Sequence, residues 1–220
     1  MWGPSSLEGM PIECDHIVYA GPNLAELVEH VHALTAVEPV DGGSHEGRGT
    51  ANALLGLGEG RYLELLGPDP HQGEPATPRL LGVDELTKPT VVSWAVRTPS
   101  ITHLADSARA DGYDPGPVQS MTRQSPTGEE LRWRLTPPMG GLGGAVPFLI
   151  DWQDSPHPSE GLPQVELHRL VITHPDPVQV RAALMAVDAL DLAEVRQGRD
   201  GEGTHLALTL NTPNGQVELG

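Results

Sequence analysis

The sequence predicts an α+β protein built from repeated β-α-β-β-β modules. Strand-like apolar runs recur along the 220 residues, separated by turns that draw on 26 glycines and 22 prolines. A proline lies at or near the start of each helix-like segment, and further strand-like runs follow each one. The same order therefore occurs three times. One such module cannot cover its own sheet face, so we expect it to pair with a copy of itself.

The first module, residues 12–68, has the clearest pattern. Its first strand, Ile12–Ala20, carries His16, and its last strand carries Glu64. The predicted elements between and around them are a helix from Asn23 to about Leu34, a short strand at 36–40, a glycine-rich turn at 41–50 and strands at 51–57 and 61–66. We expect the functional residues to lie in the cup that forms when this module pairs with another.

Two later segments repeat this order with weaker similarity. A second module, residues 89–152, is expected to pair with the first, and residues 165–220 form a third, divergent module. The predicted strands are 91–98, 118–123, 130–135 and 146–152 in the second module and 165–174, 194–197, 205–210 and 216–219 in the third, with helices ending near residue 110 and spanning 177–187. Proline-rich linkers are predicted at 69–88 and 153–164, and an N-terminal tail at 1–11.

The composition argues against two classes of partner. The formal net charge is -17, from 13 Lys and Arg against 30 Asp and Glu, so the surface should repel phosphate backbones and anionic lipid. We therefore expect neither nucleic acid nor a membrane as a partner, and no apolar run approaches the roughly 18 residues of a membrane span. The single cysteine, Cys14, cannot form an internal disulfide, which predicts a cytoplasmic location.

Three segments of the first module carry a more specific pattern, namely Asp15–Ala20, Gly42–Asn52 and Gly60–Leu65. Weaker pieces at 93–98, 130–135, 147–152 and 174–177 extend it over nearly the whole chain. Through these segments the chain resembles the glyoxalase-like proteins of the vicinal oxygen chelate superfamily. The resemblance implies that the paired modules form curved mixed sheets around a small-molecule cup.

The resemblance also implies a type of chemistry. In the metal-dependent members, each of two modules offers a ligand from its first strand and one from its last, usually His and Glu. Imidazole and carboxylate suit borderline or hard divalent ions and leave positions open for two adjacent oxygens of a substrate. An enzyme of this kind would be a lyase or isomerase, or a dioxygenase.

His16 and Glu64 match this ligand pattern, and we predict them as catalytic residues and as metal ligands. The second pair is missing, because aligning Pro99 with Pro22 places Ser93 at the position of His16. Alignment of the last strands places Ile150 near the position of Glu64. Neither residue replaces a strong ligand, so the standard set is incomplete. The cofactor is therefore either a divalent metal ion or none.

Arg97 is expected to project into the cup, because strand alternation places it on the same face as the equivalent of His16. It would suit a carboxylate or phosphate, and the alternative is a salt bridge with an acidic side chain. Strand aromatics would form apolar walls. The predicted substrate-binding residues are His45, Asn52, Tyr62, Arg97, Trp133, Phe148 and Trp152.

The sequence is compatible with two functions. The first is an enzyme that acts on a small oxygenated metabolite, neutral or anionic, with His16 and Glu64 as metal ligands or as acid and base. The second is a metal-free protein that binds or sequesters a small molecule without catalysis. The partner is a small molecule in both cases, and an unpaired sheet edge also leaves a homodimer open.

Overall fold

A computed structural model describes residues 12–124, 130–199 and 201–220. The first module contains β1 (Glu13–Ala20), α1 (Leu24–Thr35), β2 (Val40–His45), β3 (Thr50–Gly58) and β4 (Arg61–Pro68). The second contains β5 (Thr90–Arg97), α2 (Ile101–Ala110), β6 (Gln119–Gln124), β7 (Glu130–Leu135) and β8 (Phe148–Asp151). The third contains β9 (Glu166–His174), α3 (Pro177–Ala186), β10 (Glu194–Gln197), β11 (His205–Thr212) and β12 (Gly215–Leu219). The predicted tail, residues 1–11, lies outside the described residues.

The first two modules share one mixed sheet. In the described chain its strand order is β2-β3-β4-β1-β5-β8-β7-β6, so β1 and β5 lie side by side at its centre and run antiparallel. Each module places its last strand beside and parallel to its first strand. The predicted α+β fold with repeated modules and curved mixed sheets is therefore confirmed.

Side-chain alternation gives this sheet two faces. Ile17 and Tyr19 of β1 and Leu63 and Leu65 of β4 belong to the large apolar core on one side, here called the back face. Helix α1 begins after Asn23, whose side-chain oxygen accepts hydrogen bonds from the next backbone N–H groups, and the helix buries Leu27 and Val31. The opposite, front face carries His16 and is free to line a cavity.

One strand of the first module differs from its predicted position. Strand β2 begins at Val40 and not at residue 36, because Ala36 adopts a left-handed conformation that ends α1. Residues up to His45 then pair with β3, so half of the predicted turn is sheet. This shift brings Ser44 and His45 onto the wall of the front cavity.

The third module has the predicted order of elements but a different strand pairing. Its sheet runs β10-β9-β11-β12, so the parallel neighbour of β9 is β10, which directly follows the helix, and not the last strand. The connection from α3 is a short 3₁₀ turn at Leu190–Leu192, which returns the chain beside β9. Residues 165–220 are therefore not a third copy of the same pairing.

The third module covers the back face of the large sheet. Its apolar residues Ile172, Leu208 and Leu210 join the core that contains Trp94 of β5. Strand β11 packs near β5, strand β9 near β3, and helix α3 beside α2. This packing hides the back face from water and leaves the front face open to a ligand.

The two predicted linkers are packed against the large sheet. In residues 69–88, Leu81 is buried and lines the cavity, and Asp69 accepts a hydrogen bond from Ser44 at 2.6 Å. In residues 153–164, Pro163 accepts a hydrogen bond from the backbone N–H of Gly56 at 2.8 Å. Both segments therefore help to position the site. Among the helices of the described residues, none is long and apolar enough to cross a membrane.

Candidate functional site

A cavity of about 840 Å³ lies on the front face of the large sheet and is called here the front cavity. Its walls come from both paired modules and from the two linkers. The polar lining residues from the first module include His16, Ser44, His45, Asn52 and Glu64. The apolar lining residues from the second module include Met121, Trp133, Leu135, Phe148, Ile150 and Trp152.

The floor of the cavity is organised by a β-bulge at Asp15. Cys14 pairs with Val96 and His16 pairs with Ala95, so Asp15 is an extra residue in the ladder between β1 and β5. A regular strand would place Asp15 and His16 on opposite faces. The bulge interrupts that alternation, and the two adjacent side chains form a hydrogen bond of 2.5 Å between Asp15 Oδ1 and His16 Nδ1.

Asp15 is fully buried and accepts hydrogen bonds from three donors. His157 Nε2 lies 2.9 Å and Trp152 Nε1 3.1 Å from Asp15 Oδ2, and His16 Nδ1 bonds the other oxygen. Burial raises the pKa of Asp15, but the hydrogen bonds from His157 and His16 outweigh burial and leave the pKa below its ordinary value. Because this carboxylate is ionised and can only accept, His16 Nδ1 must carry the hydrogen of the bond between them. The bond fixes the imidazole ring with its other nitrogen, Nε2, facing the cavity.

The second nitrogen of His16 faces Glu64. His16 Nε2 lies 3.8 Å from Glu64 Oε2. Burial lowers the pKa of His16, but the hydrogen bond that it donates to Asp15 and the charges of Asp15 and Glu64 raise the pKa above its ordinary value. The imidazole stacks on Tyr62 at 4.8 Å between ring centroids and meets the edge of Phe148 at 5.3 Å, so its orientation is fixed. The arrangement favours a protonated His16 beside a carboxylate.

Glu64 is held from its other side by Asn52 and His45. Asn52 Nδ2 donates a hydrogen bond of 2.6 Å to Glu64 Oε1, and His45 Nε2 lies 3.9 Å from the same oxygen. His45 Nδ1 is 3.0 Å from the hydroxyl of Thr50. One carboxylate oxygen is therefore fixed, and the other lies between His16 and the cavity.

Eight of the nine predicted site residues line the front cavity. They are His16, His45, Asn52, Tyr62, Glu64, Trp133, Phe148 and Trp152. Arg97 does not. It pairs with the carboxylate of Glu13, which lies opposite it on β1, and Arg97 Nη1 donates to the carbonyl of Gly60 at 2.6 Å. The expectation that Arg97 projects into the cup is wrong, because the alternative partner, an acidic side chain, lies directly across the strand pair.

His157 is a site residue that sequence reasoning missed. It lies in the predicted proline-rich linker at 153–164, which crosses the edge of the site and brings His157 to Asp15. The backbone N–H of Ser159 donates to His157 Nδ1 at 3.2 Å, so the hydrogen on Nε2 is the one given to Asp15. A proline-rich segment carries no local signal for such a long-range contact.

The residues present do not fit a standard metal site. In the first module, Glu64 pairs with the β1 residue two places after His16. The same offset between β5 and β8 gives two corresponding pairs, Ser93 with Phe148 and Ala95 with Ile150. The earlier alignment of Ser93 together with Ile150 is thus two residues out of register. Neither pair supplies ligands, and no group of three His, Cys, Asp or Glu in the described residues is arranged to hold a metal ion.

Comparisons with known proteins agree with this architecture. A sequence model of the glyoxalase-like domain family matches residues 14–187. A hypothetical protein from Staphylococcus aureus has 17% identity and a TM-score of 0.60, with 94% of this chain and 84% of that chain covered. Methylmalonyl-CoA epimerase from Mycobacterium tuberculosis has 17% identity and a TM-score of 0.42, with 65% of this chain and 88% of that chain covered. The enzyme of the same name from Streptomyces coelicolor has 21% identity and a TM-score of 0.42, with 66% of this chain and 98% of that chain covered.

At 17% identity the Staphylococcus aureus protein bears on the fold alone. No curated protein matches the chain. The family match covers most of the sequence, including β1 with His16 and β4 with Glu64. It confirms the resemblance that the first-module segments indicated. The chain belongs to the glyoxalase-like domain family.

Proposed function

We propose that this protein acts on a small oxygenated metabolite in the front cavity through acid and base catalysis by Glu64 and His16, without a metal ion. The observation that carries the proposal is the pair itself. His16 Nε2 and Glu64 Oε2 lie 3.8 Å apart on the cavity floor, and each is held by a partner outside the pair, Asp15 and Asn52. A substrate bound in the cavity beside this pair could contact both groups.

The charges assign the two roles. Glu64 is the base and removes a proton from a carbon next to a carbonyl group. His16, whose pKa is raised, is the acid and donates the hydrogen on Nε2 to the carbonyl oxygen. The C–H bond breaks, its electron pair forms the carbon–carbon double bond of an enol, and the carbonyl π electrons take the proton from His16. Return of the proton from Glu64 to carbon, and of the enol proton from oxygen to His16 Nε2, restores both groups.

The surrounding residues support this chemistry. Asp15 keeps Nε2 of His16 directed at the cavity, and Tyr62 and Phe148 hold the imidazole between their rings. Apolar walls reduce the water around the carboxylate, which strengthens each electrostatic contact in the cavity. Isomerases and lyases use proton transfer at a carbon next to a carbonyl group. This step needs no catalytic group other than the residues present.

Deuterium exchange tests the proposal. The α-hydroxyketones hydroxyacetone and α-hydroxyacetophenone carry exchangeable C–H groups next to a carbonyl, and proton NMR in D₂O follows their loss in the presence of a chelator. We expect the native protein to accelerate exchange, and Glu64→Gln and His16→Gln each to slow it by about 100-fold or more. The exposed His71→Gln serves as the matched control. Exchange that persists in both site variants would contradict the assignment.

A second candidate function is binding without catalysis. The second module's side of the cavity is apolar and aromatic, which suits retention of a ligand without any reaction. Binding of a probe without accelerated exchange in the native protein would favour this function. An anionic metabolite is no longer supported by Arg97, which lies outside the cavity.

The proposed setting is the cytoplasm. The one cysteine of the chain, Cys14, is buried and free, as expected for a protein from a reducing compartment. Burial raises the pKa of the Cys14 thiol to about 12, so the reactive thiolate is strongly disfavoured.

A further inference from the structure

The two sides of the front cavity differ in character. The first module supplies the hydrogen-bonding groups around Glu64, whereas the side chains from the second module are apolar or aromatic except for Thr122. Trp133, Leu135 and Trp152 pack against the buried cluster of Ala95, Phe148 and Ile150. A ligand that fills the cavity therefore meets polar groups at one end and an apolar wall at the other.

Aromatic residues are concentrated in this wall. The chain has four tryptophans, three tyrosines and one phenylalanine, and three of these eight side chains, Trp133, Phe148 and Trp152, line the cavity from the second module. The rings of Trp133 and Trp152 lie 5.6 Å apart at 37°. Trp152 cannot rotate freely, because its indole N–H donates to Asp15. The wall is thus a preformed aromatic surface next to the reacting groups.

The charges around the cavity disfavour an anion. Asp41, Glu46 and Glu64 contribute carboxylates to the described lining. The one Arg or Lys in that lining is Arg48, which is exposed to solvent. An anionic ligand would approach three carboxylates against one guanidinium and the protonated imidazole of His16, in a protein of net charge -17.

The volume leaves room for a ligand larger than a three-carbon compound. A cavity of about 840 Å³ lies within the range of sites that enclose drug-sized molecules. A three-carbon compound at His16 and Glu64 would leave the aromatic wall uncovered. We infer that the ligand is an uncharged molecule in which an aromatic or similarly flat apolar ring is attached to an oxygenated group. The inference rests on the proposed function for the end of the ligand that meets His16, and the ring lies against Trp133 and Trp152.

Three probes separate these features. α-Hydroxyacetophenone has the oxygenated group and a ring, hydroxyacetone has the same group without a ring, and mandelate has a ring with a carboxylate. Dissociation constants come from NMR titration of the intact protein. We expect α-hydroxyacetophenone to bind at least about tenfold more tightly than either of the other two, because only it satisfies both ends of the cavity.

A variant locates the ring. Trp133→Ala should weaken the binding of α-hydroxyacetophenone by at least about threefold and leave the affinity for hydroxyacetone unchanged. Met139→Ala is the matched control, because Met139 is an exposed apolar residue outside the cavity lining. Thermal unfolding of both variants shows whether they remain folded. An unchanged affinity of folded Trp133→Ala would overturn the placement of the ring.

The outcomes for the ligand class and for the chemistry are separable. Hydroxyacetone or mandelate binding as tightly as α-hydroxyacetophenone would overturn the inference even if deuterium exchange occurs. Failure of all three probes to bind would overturn it as well. A clear preference for α-hydroxyacetophenone with no accelerated exchange would instead support the ligand class and contradict the catalytic proposal.

Discussion

Replacement of Asp15 by Asn should destabilise the protein strongly and change how its stability depends on pH. Asp15 is fully buried and accepts hydrogen bonds from His16, Trp152 and His157. Asn keeps one acceptor oxygen and places an N–H₂ group against a donor. Removing one partner of a buried charged network costs about 3–5 kcal/mol, so we expect Asp15→Asn to lower the free energy of unfolding by about that amount.

The pH dependence follows from the directions of the two pKa shifts. The lowered pKa of Asp15 gives stability that is present above its ordinary value of 3.8 and lost as the pH falls through the folded-state pKa. The raised pKa of His16 gives stability that is present below 6.5 and lost as the pH rises through its folded-state pKa. The advantage of the native protein over Asp15→Asn should therefore be largest between these two values and shrink at higher pH.

Urea unfolding at about pH 5.5 and about pH 9 measures both effects. Asp154→Asn is a suitable control, because Asp154 is an exposed residue of the same linker as His157. The control should have the stability of the native protein at both pH values. A loss below about 1 kcal/mol in Asp15→Asn, or a loss that does not shrink at the higher pH, would refute the reasoning.

Three further changes have defined outcomes. His157→Ala should lower the free energy of unfolding by about 1–3 kcal/mol in urea, because Asp15 loses a donor, whereas exposed His71→Ala should not. Gly67→Ala should cost about 1–3 kcal/mol, because its Cβ would lie 2.9 Å from the backbone nitrogen of the first residue of α1, whereas Gly73→Ala meets open space. Arg97→Gln should leave the affinity for mandelate unchanged in NMR titration, because Arg97 lies outside the cavity, and a weakened affinity would return it to the site.

The fold was largely predictable because its determinants are local. Apolar alternation predicted β1, β3 and β4 to within two residues at each end, and Asn23 and the proline before it marked the start of α1. The pairing of the first two modules followed from the exposed sheet face that each would otherwise leave. The pairing inside the third module did not follow, because the choice of β10 or β12 as the neighbour of β9 depends on non-local packing.

The site was predictable only in part. His16 and Glu64 share a face with the cup in any regular arrangement, and the first-module pattern led to both. Asp15 could not be found, because alternation places it on the opposite face from His16 and only the bulge reverses this. His157 lies 142 residues from Asp15 in sequence, so no spacing rule connects them. The prediction that Arg97 projects into the cup was wrong because the sequence does not show that Glu13 lies opposite Arg97 in the pairing of β1 with β5.

A crystal structure of the protein with α-hydroxyacetophenone tests the central claim most directly. We expect the carbonyl oxygen within hydrogen-bonding distance of His16 Nε2, the adjacent carbon next to Glu64, and the ring against Trp133 and Trp152. No metal ion should lie between His16 and Glu64. A metal ion coordinated by these two side chains, or a ligand bound away from them, would contradict the account.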